Sequence, residues 1–250
     1  MSKSVVLVGI LAISACVEPV STEISTSPKI ITNALSPSAF ASSLLTTSVL
    51  NSSNAAAMGQ TNAARKVLAF ATTCALDATQ SVDFTVGGVN YHSSGLMGIA
   101  PGWTTGALSA SEAAWVSACV ASRVNLTSSL VEISARGSNA GYDTTIGEVA
   151  DYELEEGAFW GNVFTDLGAV TGYSCNGVDQ AADDTIGDLP LRECAEWDGV
   201  TGSNASACGF HYAGLCSTAC TTTTAPYSGC SFGGGSASSV VVTTFLYGAR

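Results

Sequence analysis

A chain of 250 residues, 46% hydrophobic and 11% charged, has enough apolar surface for one globular body with a tether to spare. Its 20 acids against 8 bases leave a net charge of −12, which repels phosphate backbones and excludes nucleic acid as a partner. The 9 cysteines are an odd number, so a fully oxidised framework leaves one sulfur over.

At the N-terminus Lys3 precedes a short apolar run from Ser4 to Ala15, carrying Val5, Val6, Leu7, Val8, Ile10 and Leu11. The run is shorter than the roughly 20 apolar residues that cross a bilayer. One positive charge, a short apolar core and small residues at its end predict a processed export signal. The end of that run, Ile13-Ser14-Ala15-Cys16, resembles a bacterial lipobox. The resemblance implies that residues 1–15 are a signal peptide and that Cys16 is lipidated. It places the protein in the bacterial cell envelope, anchored at the outer membrane, or secreted if the signal is an ordinary one. Setting Cys16 aside leaves Cys74, Cys119, Cys175, Cys194, Cys208, Cys216, Cys220 and Cys230, an even set of disulfide candidates suited to an exported chain.

From Val17 to Gln60, 15 of 44 residues are Ser or Thr, which predicts a lipid-anchored tether over 16–60. Within it Leu35, Phe40, Leu45 and Leu50 recur every fifth residue, with Asn33, Ser38, Ser43 and Ser48 two places before them. A period of five matches neither helix nor strand. Over 33–52 the pattern resembles the pentapeptide-repeat family, whose members wind into a four-sided β-solenoid. Ser36-Pro37 ahead of Phe40, Leu44 and Leu45 also fits a capped short helix. The tether ranks ahead of both ordered readings.

The folded body is expected over 61–250. Ala64, Val67, Leu68, Ala71, Cys74 and Ala75 keep helical spacing, predicting a helix over 62–78 with Asn62 as its cap. Val82, Phe84 and Val86, then Gly87-Gly88, then Val89 and Tyr91 read as a hairpin. Ser109 three places before Glu112 is a capping box opening a second helix. Cys74 and Cys119 fall on the apolar faces of these two helices, which predicts a bridge between them. Val131, Ile133 and Ala135 mark a strand. Gly147 to Glu156 has helical spacing, and Val240 to Tyr247 favours a strand inside the sheet. Six cysteines between Cys175 and Cys230 in turn-rich sequence predict that bridges replace regular core there. The fold class expected is α+β: two helices packed on a small antiparallel sheet, followed by a disulfide-rich, irregular C-terminal third. Trp115-Val116-Ser117-Ala118-Cys119, Glu156-Gly157-Ala158-Phe159-Trp160-Gly161-Asn162 and the terminal cysteines resemble secreted cysteine-rich bacterial proteins without an assigned activity.

From Asp143 to Asp198 there are 14 acids and one base, Arg192. Glu153, Glu155 and Glu156 beside Phe159 and Trp160 could supply the paired carboxylates and sugar-stacking aromatic of a glycan hydrolase, provided two carboxyls lie about 5–10 Å apart. Glu156, Glu153 and Trp160 are the leading candidates. Asp179, Asp183, Asp184 and Asp188 offer hard oxygen ligands for a structural Ca²⁺. Solvated acidic surface is the competing reading of both groups. Cys216-x3-Cys220 with His211 could imitate a zinc site, but thiols in an exported chain oxidise to disulfides. No cofactor is expected otherwise. The leading expectation is a non-enzymatic envelope lipoprotein with a structural or interaction role, meeting the membrane through its anchor and a cell-surface protein or glycan through its body. The alternatives are an exported glycan hydrolase and a calcium-stabilised binding module.

Overall fold

Three side-chain caps start the first three helices. Ser36 Oγ accepts from Ala39 N ahead of α1 (Pro37–Ala41), Asn51 caps α2 (Ser52–Met58), and Thr61 caps α3 (Asn62–Ala75). Pro37 stands at the first turn of α1, where its missing N–H costs nothing. The computed structural model describes residues 30–127, 130–142, 146–179, 192, 194–200 and 204–248.

The tether expected over 16–60 is corrected for residues 30–60, which belong to the folded body. Strand β1 (Ile30–Asn33) pairs antiparallel with β4 (Val131–Arg136). Leu35, Phe40, Leu45 and Leu50 are 0%, 4%, 0% and 2% exposed, so the five-residue recurrence marks the side chains this segment buries. Burying each is worth about 1.5–3 kcal/mol, which outweighs the local Ser/Thr preference for solvent. The backbone between them is anchored too: Asn125 N donates to Leu35 O, Thr165 N to Leu45 O, and Leu50 N to Trp103 O.

Next, β2 (Ser81–Val86) and β3 (Val89–Ser94) form the hairpin, with Gly87 and Gly88 at φ 59° and 81°. Positive φ at both turn positions matches the right-handed strand twist, and glycine adopts it without a Cβ clash. The capping box at Ser109 and Glu112 opens α4 (Ala110–Ser122). The helical pattern after Gly147 yields α5 (Ile146–Asp151) but stops short of Glu156. Glu155 and Glu156 lie in β5 (Leu154–Asn162), a correction to the expected acidic helix end. β6 (Thr171–Asn176), β7 (His211–Leu215), α6 (Cys216–Ala219) and β8 (Val242–Leu246) follow among the described residues.

The fold is α+β, but its sheet is neither small nor wholly antiparallel. Six strands run in the order β1-β4-β8-β5-β6-β7, and β6 pairs β7 in parallel. The last strand, β8, enters between β4 and β5, and all five of its residues are buried. Helix α4 lies directly on β5 and β8, while α3 forms a further layer on α4 and on the β2–β3 hairpin. That face holds the main core, including Trp103, Phe159, Phe164 and Leu246. The opposite face is covered by α6 and cysteine-bridged loops, over a second core of Ala158, Trp160, Cys175, Cys216, Cys220, Tyr227, Cys230 and Val241.

Candidate functional site

Strand alternation decides what the acidic run can do. A bulge between Glu155 and Gly157 precedes Phe159, which faces α4, and Trp160, which faces the cysteine-rich side. Glu156 is 1% exposed on the α4 side and meets Arg192. Arg192 Nε donates to Glu156 Oε1 at 2.6 Å and Nη2 donates to Oε2, to which Thr244 Oγ1 also donates at 2.7 Å. The same guanidinium donates to the carbonyls of Ser122 and Val124 at the end of α4 and lies over the Phe159 ring. Both partners of this pair are buried and multiply bonded, so it ties helix to sheet.

Glu155 points the other way. Its Oε1 accepts from Tyr227 Oη at 2.6 Å and Val178 N at 3.0 Å. Burial first, and then the neighbouring carboxylate, push the Tyr227 phenol well above its usual range. Glu153 is exposed. Glu153, Glu156 and Trp160 therefore do not converge: Glu156 sits on one face of β5 and Trp160 on the other. This corrects the paired-carboxylate arrangement, because a glycosidase needs both groups on one cleft. Of the acids considered for calcium, Asp179 accepts from Glu155 N at 2.7 Å, and Asp183, Asp184 and Asp188 lie outside the described residues.

Trp160 belongs instead to an aromatic row crossing three strands. Trp160 pairs directly with Tyr173, and Tyr173 with His211, at ring-centroid distances of 5.7 Å and 5.1 Å. Phe232 packs on both Tyr173 and His211. A cleft of about 400 Å³ opens beside the row, lined in part by Asn162, Thr171, Tyr173, Phe232 and Ser238, with no charged side chain on its wall. Three of its polar side chains bond nearby backbone: Asn162 bonds Phe164 and Ala169, Thr171 bonds Ala169, and Ser238 bonds Val240. His211 is thus an aromatic neighbour, and His92 pairs with Asp83 at 2.7 Å on the exposed hairpin.

The eight cysteines other than Cys16 form four bridges, Cys74–Cys119, Cys175–Cys216, Cys194–Cys208 and Cys220–Cys230. The first is the bridge expected between the two helices. Two of the others are neighbours, with Cys175 Sγ 4.0 Å from Cys220 Sγ. The Sγ atoms of Cys175, Cys220 and Cys230 all lie within 4.8 Å of one another, the one such group of potential metal ligands among the described residues. Bridged sulfurs are not thiolates, so the oxidised cluster does not supply the ligands a soft metal takes.

Sequence reasoning overlooked the pairing of Glu156 with Arg192. The lone base among fourteen acids, Arg192, was the visible sign that one acid is buried and paired. Cys216 and Cys220 stand four apart, which puts two sulfurs on one helical turn. Comparison with protein-family models, curated proteins and solved structures returned no match.

Proposed function

We propose that the protein is an exported lipoprotein of the bacterial cell envelope, anchored at the outer membrane through acyl groups on Cys16, whose disulfide-locked body has a structural or interaction role. The observation that carries this reading is the cysteine parity. Four bridges consume eight sulfurs and leave Cys16 alone, the residue a lipobox requires to be free. Bridges of this number belong to an oxidising compartment beyond the cytoplasm. Among the described residues no helix is long and apolar enough to cross a membrane, so a lipid is the attachment this reading supplies. Residues 17–29 separate Cys16 from β1 and span at most about 45 Å, which holds the body near the membrane surface. The body then meets a cell-surface protein or glycan, and its negative charge keeps it off nucleic acid.

Intact-mass measurement of protein extracted from membranes tests the proposal. The expected species begins at Cys16, carries acyl groups and has no thiol open to alkylation. A mature chain that begins elsewhere and carries no lipid removes the anchor from the reading.

A further inference from the structure

The two bridges on the cysteine-rich face, Cys175–Cys216 and Cys220–Cys230, are close neighbours. Cys216 opens α6 and Cys220 follows its last residue, with Cys220 N donating to Cys216 O at 3.0 Å. This single turn places both sulfurs beside Cys175 on β6 and Cys230 in the following loop, in one buried apolar cluster. A thiolate exchanges with a disulfide by attacking one of its sulfurs, so rate depends on how near and how accessible that sulfur is. The 4.0 Å between Cys175 Sγ and Cys220 Sγ is close to contact distance for such an attack.

We propose that Cys175, Cys216, Cys220 and Cys230 form one thiol–disulfide exchange site, opened by an external dithiol at Cys220–Cys230. Cys220, 9% exposed, is the most accessible of the four. A dithiol thiolate attacks Cys220 Sγ and Cys230 leaves as a thiolate. The second thiol of the reductant closes its own disulfide and releases the Cys220 thiolate. Cys220 Sγ then attacks Cys175 Sγ: the Cys175–Cys220 bond forms, the Cys175–Cys216 bond breaks, and Cys216 leaves as a thiolate and takes a proton. The opening consumes two electrons from the dithiol, and the internal exchange is redox-neutral. Its structural effect is to move the attachment of β6 from the start of α6 to its end.

Two full-length variants test the exchange without any added reductant. Cys230→Ser leaves Cys220 as a thiol, and Cys216→Ser leaves Cys175 as a thiol. Each is quenched in acid, its free thiols are alkylated, and the labelled peptides are mapped by mass. The exchange site predicts label shared between Cys220 and Cys216 in the first variant, and between Cys175 and Cys230 in the second. Cys119→Ser, in the helix-to-helix bridge, labels Cys74 alone. Sharing in either variant, with Cys74–Cys119 and Cys194–Cys208 intact, supports the proposal. Label confined to the orphaned partner in both variants overturns it, and so does label spread through all the cysteines, which reports unfolding rather than a selective site.

Discussion

Glu156 is held by Arg192 and Thr244 at 1% exposure, and its removal strands a guanidinium that also supports the end of α4. Breaking one side of a buried pair leaves an uncompensated charge, at a cost of about 3–5 kcal/mol. Glu156→Ala should therefore lower the urea-unfolding free energy by about that amount, and the double change Glu156→Gln with Arg192→Met should recover part of it. A loss no greater than that from Glu153→Ala, on the exposed side, contradicts the pairing. A second residue-scale prediction concerns pH. Hydrogen bonds from the Ser109 side chain and backbone N hold the Glu112 carboxyl below its usual 4.5. Because the folded value is the depressed one, this stabilisation is complete above the unfolded value and lost as pH falls through the folded one. Glu112→Gln should melt below the native protein at neutral pH and converge with it in acid. A difference that persists in strong acid assigns the effect to something other than the charge. The capping box was legible in the sequence because its donors and acceptors lie three residues apart. The Glu156–Arg192 pair was not, because its members are 36 residues apart and meet only after β5 docks on α4.

The segment from Leu35 to Leu50 shows how an element can be misjudged when only its neighbours in sequence are weighed. Its Ser and Thr content is that of a linker, yet Leu35, Phe40, Leu45 and Leu50 all enter the main core. A chain beginning at Thr61 loses those side chains together with β1, and is expected to lose its cooperative thermal transition. A tether removed from the same place would leave the transition unchanged, so one melting curve separates the two. Leu45→Ala, at 0% exposure, should cost about 2–5 kcal/mol in urea unfolding. The acidic stretch after Tyr152 is the converse case. Helical spacing ran on through Glu156, but pairing with β6 and β8 captured the chain as β5 from Leu154 onward.

At the scale of the molecule, each bridge stays on one side of the sheet: Cys74–Cys119 and Cys194–Cys208 lie in the main core, Cys175–Cys216 and Cys220–Cys230 in the second. The bridge Cys74–Cys119 closes 45 residues of chain, whereas Cys220–Cys230 closes 10. Loop-closure entropy grows with the logarithm of that length, and each bridge contributes about 2–4 kcal/mol. Paired Ser substitutions at Cys74 and Cys119 should therefore lower stability more than the same change at Cys220 and Cys230. The reverse order assigns the stabilisation to local packing instead of chain entropy. A spare cysteine, four bridges' worth of sulfur, the hairpin turn and the start of α4 are determined by the sequence alone, since each rests on residues that are adjacent, a few places apart or simply counted. Tertiary structure decided how the six cysteines from Cys175 to Cys230 pair, that β8 enters the middle of the sheet, and that Glu155 and Glu156 face opposite ways. Those outcomes depend on segments far apart in the chain competing for the same buried surface, and no local pattern records who wins.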